Sequence, residues 1–255
     1  MIYIGFRYRR ALGYLTNMSI PELTLSPDSA PSSRIKRISA SEQIHAALRE
    51  RIVTMELEPG RNLSRQEIAA FYGVSQTPVR DAMLKLEEEG LLVIYPQSKT
   101  EVSRIDVAQA RETQFLRMSV ELEVARRLAG STDKGILGPA RRIFSMQQAA
   151  LADDDLESLA RLDRLFHHAL CEAAGVSNLW ELITSRSGHI DRLRNLNLPD
   201  PGKPANILEL HGRILASIES GDQLGCERAV REHLSGTLAQ LDEIRARHPA
   251  YFTTA

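Results

Sequence analysis

The chain has 255 residues, a formal net charge of −1, 43% hydrophobic residues and 25% charged residues, which is ordinary for a globular protein with two modest domains. The near-zero charge excludes a globally basic protein, so any surface that binds an anion must come from local placement of Arg and Lys. Two cysteines, Cys171 and Cys226, are too few for a disulfide framework or a cysteine-rich zinc module, and no stretch approaches 18 apolar residues. These features predict a soluble, cytoplasmic protein without a membrane anchor.

Residues 1–37 are predicted to form a flexible N-terminal extension. They begin with positive charge and some apolar residues, but they lack the continuous apolar region and small-residue cleavage pattern of a secretory signal. The stretch SPDSAPSSR at 26–34 is rich in Ser and Pro and offers nothing with which to build a core. An organised pattern starts at residue 38.

Residues 38–104 are predicted to form the first domain, which opens with two helices. The first helix is indicated by apolar residues at helical spacing, with Ser41 predicted as its N-cap, and EPGRNL ends it. The second opens with Ser64 followed three residues later by Glu67, the capping-box pattern, and ends at Gly73. The apolar positions of the first helix are Ile44, Ala47, Leu48, Ile52 and Met55.

A third helix and a hairpin complete this domain. The helix starts with Ser75 or Thr77 as its cap and Pro78 in its first turn, and it ends at Gly90. The runs LLVIY and TEVS, joined by PQSK, predict two short strands. Helix, helix, tight turn, helix and hairpin is the order of a winged helix-turn-helix. Four apolar side chains are predicted to hold the third helix to its domain: Val79, Met83, Leu84 and Leu86.

The third helix carries the groups that would read DNA. Gln76, Thr77 and Arg80 in its first turns offer an amide, a hydroxyl and a guanidinium for base edges or phosphates. Lys99 in the predicted wing can reach the DNA backbone or the minor groove. The alternative is a small helical domain that packs against a protein partner and binds no DNA.

Residues 105–248 are predicted to form an all-α domain, followed by a C-terminal tail at 249–255. Roughly six segments have apolar stripes wide enough for a helical bundle, they break at Gly or Pro, and no strand pattern intervenes. Asp106 is the predicted cap of the first of these helices. The predicted fold is therefore mainly α, with an N-terminal winged helix-turn-helix followed by an all-α antiparallel helical bundle.

Four potential metal ligands lie on the predicted inner faces of three helices in this bundle. Asp163 and His167 stand one helical turn apart, a spacing that brings two side chains together. His211 and His233 are flanked by apolar positions and are predicted to face inward. Three imidazoles and one carboxylate suit Zn²⁺, Ni²⁺ or another first-row divalent ion. Taken singly, each His is more simply a core residue, and the Asp/His pair a surface ion pair.

The first domain resembles the DNA-binding domain of the GntR family of bacterial transcription regulators, over about 65 residues. The resemblance implies that Thr77 and Arg80 contact DNA and that the protein binds a short palindrome as a dimer. Members often have Arg at the position of Gln76 and again near Gln66, so Arg65, one position away, is expected to take over a phosphate contact. The resemblance is carried by Pro59-Gly60, Leu63, Glu67, Ala69, Val74-Ser75, Thr77-Pro78-Val79-Arg80, Ala82, Leu86 and Glu89-Gly90-Leu91.

The second domain resembles the FCD effector domain of the FadR-type branch of that family. Its metal-binding members show D-x-x-x-H, a His about 44 residues on and another about 22 beyond, and the four residues of this chain match each step. The resemblance implies that Arg117 faces the effector pocket. His189 and Arg192, in an Arg-rich turn, are a further candidate for gripping a carboxylate, or they belong to a solvated face.

Together these features predict a DNA-binding repressor that a small organic acid, such as a sugar acid or another carboxylate, releases by binding at the metal. One alternative is a constitutive DNA-binding protein in which the metal only staples the bundle. A second is a metal-dependent enzyme, because three His and an Asp with an open coordination position is also catalytic chemistry. Against an enzyme stands the absence of a further general base in a suitable place in the sequence.

Overall fold

Three helices and a two-stranded hairpin form the N-terminal part of the structure, a computed structural model that describes residues 38–253. The predicted extension at 1–37 lies outside the described residues. The hairpin is antiparallel, with Leu92 opposite Val102 and Ile94 opposite Thr100. The predicted order of a winged helix-turn-helix is confirmed, with helices α1 (Ala40–Val53), α2 (Arg65–Tyr72) and α3 (Gln76–Glu88) and strands β1 (Leu92–Ile94) and β2 (Thr100–Val102).

Serine side chains cap α1 and α2, and the cap of α1 differs from the prediction, whereas Ser75 at the N-cap of α3 makes no capping hydrogen bond through its side chain. Ser39, and not Ser41, caps α1: its hydroxyl accepts from the backbone N–H of Glu42, whose carboxylate accepts from the N–H of Ser39. Only Ser39 has a Glu three residues later, whereas Ser41 is followed there by Ile44. Ser64 caps α2 as predicted, by accepting from the N–H of Glu67.

A shared apolar core holds the three helices and the hairpin together. Gly73 ends α2 in the left-handed conformation at a φ of 64°, which turns the chain tightly into α3. Val79, Met83 and Leu86 are buried as predicted, but Leu84 is 38% exposed. The reason is helical spacing, because the buried face of α3 runs at intervals of three and four residues and Leu84 falls outside it.

The rest of the described chain is a helical bundle, as predicted. The long α4 packs against α8, α9 and α10, and α5 packs against α6 and α9. The main core of the bundle includes Leu128, Phe166, Ile214 and Val230. Its helices are α4 (Val107–Ala129), α5 (Gly138–Ala152), α6 (Leu156–Ala173), α7 (Ser177–Arg186), α8 (Gly188–Asn197), α9 (Lys203–Ser220), α10 (Gln223–Ala239) and α11 (Leu241–Arg247).

The bundle has more helices than the sequence pattern predicted, because two predicted segments each divide. The predicted helix at 177–198 breaks at Ser187, between α7 and α8, and the predicted helix at 222–248 breaks at Gln240, between α10 and α11. The predicted tail at 249–255 is also corrected. Its residue Phe252 is buried and pairs with Ile105, whose backbone N–H donates to the carbonyl oxygen of Tyr251.

The winged domain and the bundle contact each other directly, mainly through α1 and α8. Gly188, the first residue of α8, lies so close to Leu91 that a Cβ added there would stand 2.5 Å from a Leu91 methyl carbon. Residues from 38 onward accordingly form one compact unit. Among the helices at 38–253, none combines the length and the apolar character needed to cross a bilayer.

Candidate metal centre and effector pocket

Three imidazoles and a carboxylate converge inside the bundle. Asp163 and His167 extend from α6, His211 from α9 and His233 from α10. The Nε2 atom of His233 lies 3.0 Å from that of His167 and 3.2 Å from that of His211. Asp163 Oδ1 lies 3.6 Å from His211 Nε2, and one potential ligand atom from each of the four residues lies within 4.8 Å of the others. The structure therefore brings the four predicted ligands together.

The apolar stripe of α6 explains why its two ligands point inward. Asp155 caps the helix by accepting from the backbone N–H of Ser158, and the buried stripe then continues to Phe166 and Leu170. Asp163 and His167 lie on this stripe, one turn apart. The ring of Phe166 stacks on that of His211 with centroids 4.1 Å apart, which fixes the plane of the His211 ring.

Two buried side chains orient two of the histidine rings through contacts with their Nδ1 atoms, and the sequence analysis did not identify either side chain. Gln147 Oε1 lies 3.0 Å from His211 Nδ1, and Glu121 Oε2 lies 2.6 Å from His167 Nδ1. Because a carbonyl or carboxylate oxygen only accepts, each of these contacts favours a proton on Nδ1 and leaves the Nε2 lone pair free. Arg117 Nε donates to the other oxygen of Glu121.

The electrostatics of the cluster favour neutral imidazoles beside an ionised carboxylate. Burial lowers the pKa of His211 to about 3 and also lowers the pKa of His233. Burial by itself would raise the pKa of Asp163, but the charge of Arg194 holds it well below its usual range. Metal ligation requires these same protonation states.

The donor set fits a divalent cation. Asp163 Oδ1 is buried and has no hydrogen-bond partner among the described residues, while Oδ2 accepts from Arg194. The Nε2 lone pairs of His167 and His211 both face His233, whose single Nε2 proton can satisfy only one of them, whereas an ion at that point would accept a lone pair from each of the three rings. Three nitrogens and one oxygen are ligands that Zn²⁺ and other first-row divalent ions accept.

A pocket that is partly open to solvent adjoins these ligands. Arg117 lines it; its guanidinium lies 5.6 Å from the Trp180 ring centre, and its Nη2 has no hydrogen-bond partner in the described part of the chain. Arg194 and Lys203 also line the pocket, and the sequence analysis did not assign them to it. The other lining residues are Gln114, Leu159, Ala160, Asp163, Arg164, Ile190, Asp191, Asn195, Leu198, Ile207, His233, Leu234 and Thr237.

His189 and Arg192 do not line this pocket, which corrects their predicted role. Arg192 is fully buried and donates to the backbone oxygen of Ser103 in the winged domain. His189 Nδ1 accepts from the backbone N–H of Asp106. The break at Ser187 sets the register of α8, so that residues 189 and 192 face the winged domain while Asp191 and Arg194 face the pocket.

Replacement of Gln147 by Leu is expected to lower Zn²⁺ affinity about 10–100-fold, because it leaves the Nδ1 proton of His211 without an acceptor. Replacement by Glu retains an acceptor and should preserve tight binding. Competition with a chromophoric chelator measures both affinities. Gln148→Leu is the matched control, because Gln148 is the exposed neighbour on the same helix. Equal affinities of the Gln147→Leu and Gln148→Leu variants would show that Gln147 does not support the ligand.

His189 is expected to make folding sensitive to acid. Burial, together with the charge of Arg192, lowers its pKa from 6.5 to about 4. Between these values the unfolded chain binds the proton and the folded chain does not, so stability is full above pH 6.5 and falls as the pH drops towards 4. The loss amounts to about 3 kcal/mol once the pH is below 4, of which about 2 kcal/mol is already lost at pH 5. Urea unfolding of the wild type and of His189→Gln at pH 7.5 and 5 measures it, and the variant should lose less stability; equal losses would contradict the assignment.

The five residues predicted to contact DNA lie on the exposed surface of the winged domain. Arg65 begins α2, Gln76 and Thr77 begin α3, and Arg80 follows one turn later. Within residues 38–253, neither Arg65 nor Arg80 forms an ion pair. Lys99 differs, because its Nζ lies 2.5 Å from the carboxylate of Glu101 and 5.0 Å from the Tyr95 ring centre.

Comparison with known proteins gives matches to two family models along the chain. Residues 40–102 match the model described as "Bacterial regulatory proteins, gntR family", and residues 112–236 match the FCD domain. The first match covers the winged helix-turn-helix, and the second covers all four metal-ligand candidates.

Relatives along most of the chain are transcription regulators. An HTH-type transcriptional regulator in an unstable DNA locus of Streptomyces ambofaciens is 36% identical over 83% of this chain and 89% of its own length. The HTH-type transcriptional repressor RspR of Escherichia coli is 30% identical over 84% of this chain and 93% of its own. The solved structure of E. coli McbR/YncC has a TM-score of 0.69 and 23% identity, covering 81% of this chain and 99% of that one, which supports the fold.

Proposed function

Because this chain belongs to the GntR family of DNA-binding transcription regulators and carries an FCD domain, we propose that it is a repressor released by a small organic acid at a metal site. The family and the relatives are regulators and not enzymes, which confirms the prediction of a non-enzymatic function. The observation that carries the proposal is the convergence of three Nε2 atoms and a free carboxylate oxygen beside a pocket.

In this proposal Asp163, His167, His211 and His233 hold a divalent ion, Zn²⁺ or Ni²⁺. A bound ion supplies Lewis acidity towards a carboxylate or hydroxyl oxygen of the effector. Arg117 has a free Nη2 with which to donate a charge-assisted hydrogen bond to the same carboxylate.

In the DNA-binding step, Arg65, Gln76, Thr77, Arg80 and Lys99 contact the operator, the first and last of them mainly at phosphates. Their exposure supports this assignment. A winged helix-turn-helix reads one half-site, so a homodimer on a palindromic operator accounts for specific binding. Light scattering coupled to size-exclusion chromatography, together with DNA stoichiometry, tests for two protomers on each operator.

Release follows only if the effector binds the DNA-free form more tightly than the DNA-bound form. Allosteric couplings of this kind are typically about 1–3 kcal/mol, which corresponds to a change in DNA affinity of about 5–150-fold. An effector with equal affinity for both forms would shift nothing. The repressor name of the relative RspR supports the assignment of repression to this chain.

The experiment that tests this function is fluorescence anisotropy of labelled DNA from upstream of the protein's own gene. The DNA is titrated with Zn²⁺-loaded protein and then with hexuronates, aldonates, and di- and tricarboxylates. Specific binding that one acid reverses is the expected result. Absence of specific binding to every candidate operator would contradict the proposal.

A second candidate is a constitutive DNA-binding protein whose metal only staples the bundle. The observation in its favour is that the ligands join α6, α9 and α10 within the buried interior. This candidate and the proposed repressor predict different results. For a constitutive DNA-binding protein, chelation of the ion would unfold the bundle, and no acid would release the DNA.

A further inference from the structure

A continuous series of polar contacts begins at the metal-ligand candidate Asp163 and crosses the pocket wall. Arg194 donates to Asp163 Oδ2, and its Nη1 lies 3.4 Å from Asp191 Oδ1. Both Arg194 and Asp191 line the pocket. A change in the charge or position of Asp163 therefore acts directly on Arg194, which Asp163 shares with Asp191.

The series then reaches Ser187, at the break between α7 and α8. The Ser187 hydroxyl lies 2.5 Å from Asp191 Oδ2 and 2.9 Å from the backbone oxygen of Thr184. Both of these oxygens only accept, and a hydroxyl has one proton, so Ser187 donates to one of them at a time. This choice of acceptor gives the contact two discrete arrangements, which a coupling between distant sites requires.

Arg49 carries the series from the bundle to the winged domain. One of its terminal nitrogens lies 3.3 Å from Ser187 Oγ and 2.6 Å from the backbone oxygen of Thr184. Its Nε lies 2.9 Å from Glu89 Oε2, and His45 contacts the other oxygen of Glu89 at 2.6 Å. Glu89 is the C-cap of α3, the helix with the predicted base-reading residues.

We propose that Arg194, Asp191, Ser187, Arg49 and Glu89 form an Arg49 relay that couples occupancy of the metal and effector site to the position of α3. When Arg194 and Asp191 reorient towards a bound ligand, Ser187 turns its proton to the Thr184 carbonyl. That carbonyl then has less capacity to accept a hydrogen bond from Arg49. The Arg49 side chain therefore shifts, and its ion pair with Glu89 at the end of α3 changes. The relay rests on the proposed function and specifies its regulation.

The first test uses Zn²⁺ as the probe and an operator selected from random-sequence DNA with the wild-type protein. Zn²⁺ affinity is measured by chelator competition in the free and the DNA-bound full-length protein. The wild type should show affinities that differ about 5-fold or more. In Arg49→Gln and Ser187→Ala the two affinities should agree within about 2-fold, while Zn²⁺ binding to the free protein persists because neither residue touches the four ligands.

Arg51→Gln is the matched control. Arg51 lies two residues from Arg49 on α1 and forms an ion pair with Glu56, and among the described residues it contacts neither Ser187 nor Glu89 nor the pocket. This variant should keep the wild-type ratio. Equal Zn²⁺ affinities of free and DNA-bound wild type, or a wild-type ratio in Arg49→Gln, would overturn the relay.

A second test requires no metal. Arg49→Gln and Arg194→Lys alter residues that do not contact each other, so their effects on DNA affinity should multiply if the sites are independent. Lys retains the charge beside Asp163 and so protects folding, which circular dichroism verifies. The relay predicts that the DNA affinity of the double variant differs by at least about 3-fold from the value obtained by multiplying the two single effects. When Ser187→Ala is added to every variant of this cycle, that difference should disappear. A double variant whose effect equals the product of the single effects would contradict the relay. If the wild type binds no Zn²⁺, the proposed function fails, and this cycle alone decides the relay.

Discussion

A His167→Ala, His211→Ala double variant is expected to lose stoichiometric Zn²⁺ binding while it remains folded and binds DNA with the affinity of the metal-free wild type. The substitutions remove two of three converging Nε2 atoms, and loss of an outer partner alone typically costs about 10–100-fold. A decrease in affinity well beyond about 100-fold is therefore expected. Both residues lie in the bundle and not in the winged domain, so the DNA-reading surface is intact. Metal analysis after dialysis and anisotropy of labelled operator measure the two properties.

A His168→Ala, His248→Ala double variant is the matched control, because it removes the same number of imidazoles from outside the cluster. It should bind Zn²⁺ as the wild type does. Unfolding of the His167→Ala, His211→Ala variant would support a purely structural metal. Retention of one tightly bound Zn²⁺ per chain would show that the ion binds elsewhere.

Replacement of Arg80 by Ala should weaken operator binding about 5–150-fold, the equivalent of the 1–3 kcal/mol typical of a bidentate guanidinium contact to a base. Arg80 is exposed on α3 and, within residues 38–253, is not engaged in an ion pair. Its guanidinium is consequently available for DNA without the cost of breaking another contact. Anisotropy on the operator and on scrambled DNA separates a base contact, where only the operator weakens, from a phosphate contact, where both weaken.

Arg228→Ala provides the control for charge alone, because Arg228 is exposed on α10 in the bundle. It removes the same charge at a place with no predicted DNA contact and should leave operator affinity within about 2-fold of the wild type. If Arg80→Ala behaves like Arg228→Ala, then α3 does not read the operator through Arg80.

The sequence was informative where a feature depends on neighbours along one helix. The spacing of Asp163 and His167 predicts one shared face, and the apolar flanks of His211 and His233 predict inward orientation; the structure brings all four together. The turn at Gly73 and the hairpin follow in the same way from local residue types.

The features that the sequence did not reveal depend on contacts between distant segments. Gln147 and Glu121 belong to α5 and α4, and nothing local to them indicates that they contact His211 and His167. The presence of Arg194 in the pocket, where Arg192 was predicted, has a different cause, the helix break at Ser187. A continuous helix was predicted there, and a break of one residue decides which face of α8 meets the pocket.

If the four ligands hold a divalent ion as proposed, the charge balance around them bears on the effector that the site would select. Three carboxylates around the site, Glu121, Asp163 and Asp191, are balanced by three cationic side chains, Arg117, Arg194 and Lys203. The charge of a further cation, Arg164, is balanced by its ion pair with Glu50. A divalent ion therefore adds two positive charges that no neighbouring side chain compensates, in a place where uncompensated charge is costly. A dicarboxylate restores neutrality, as does a monocarboxylate together with hydroxide, whereas an uncharged sugar leaves the full excess. Electroneutrality thus discriminates among metabolites of similar size and shape.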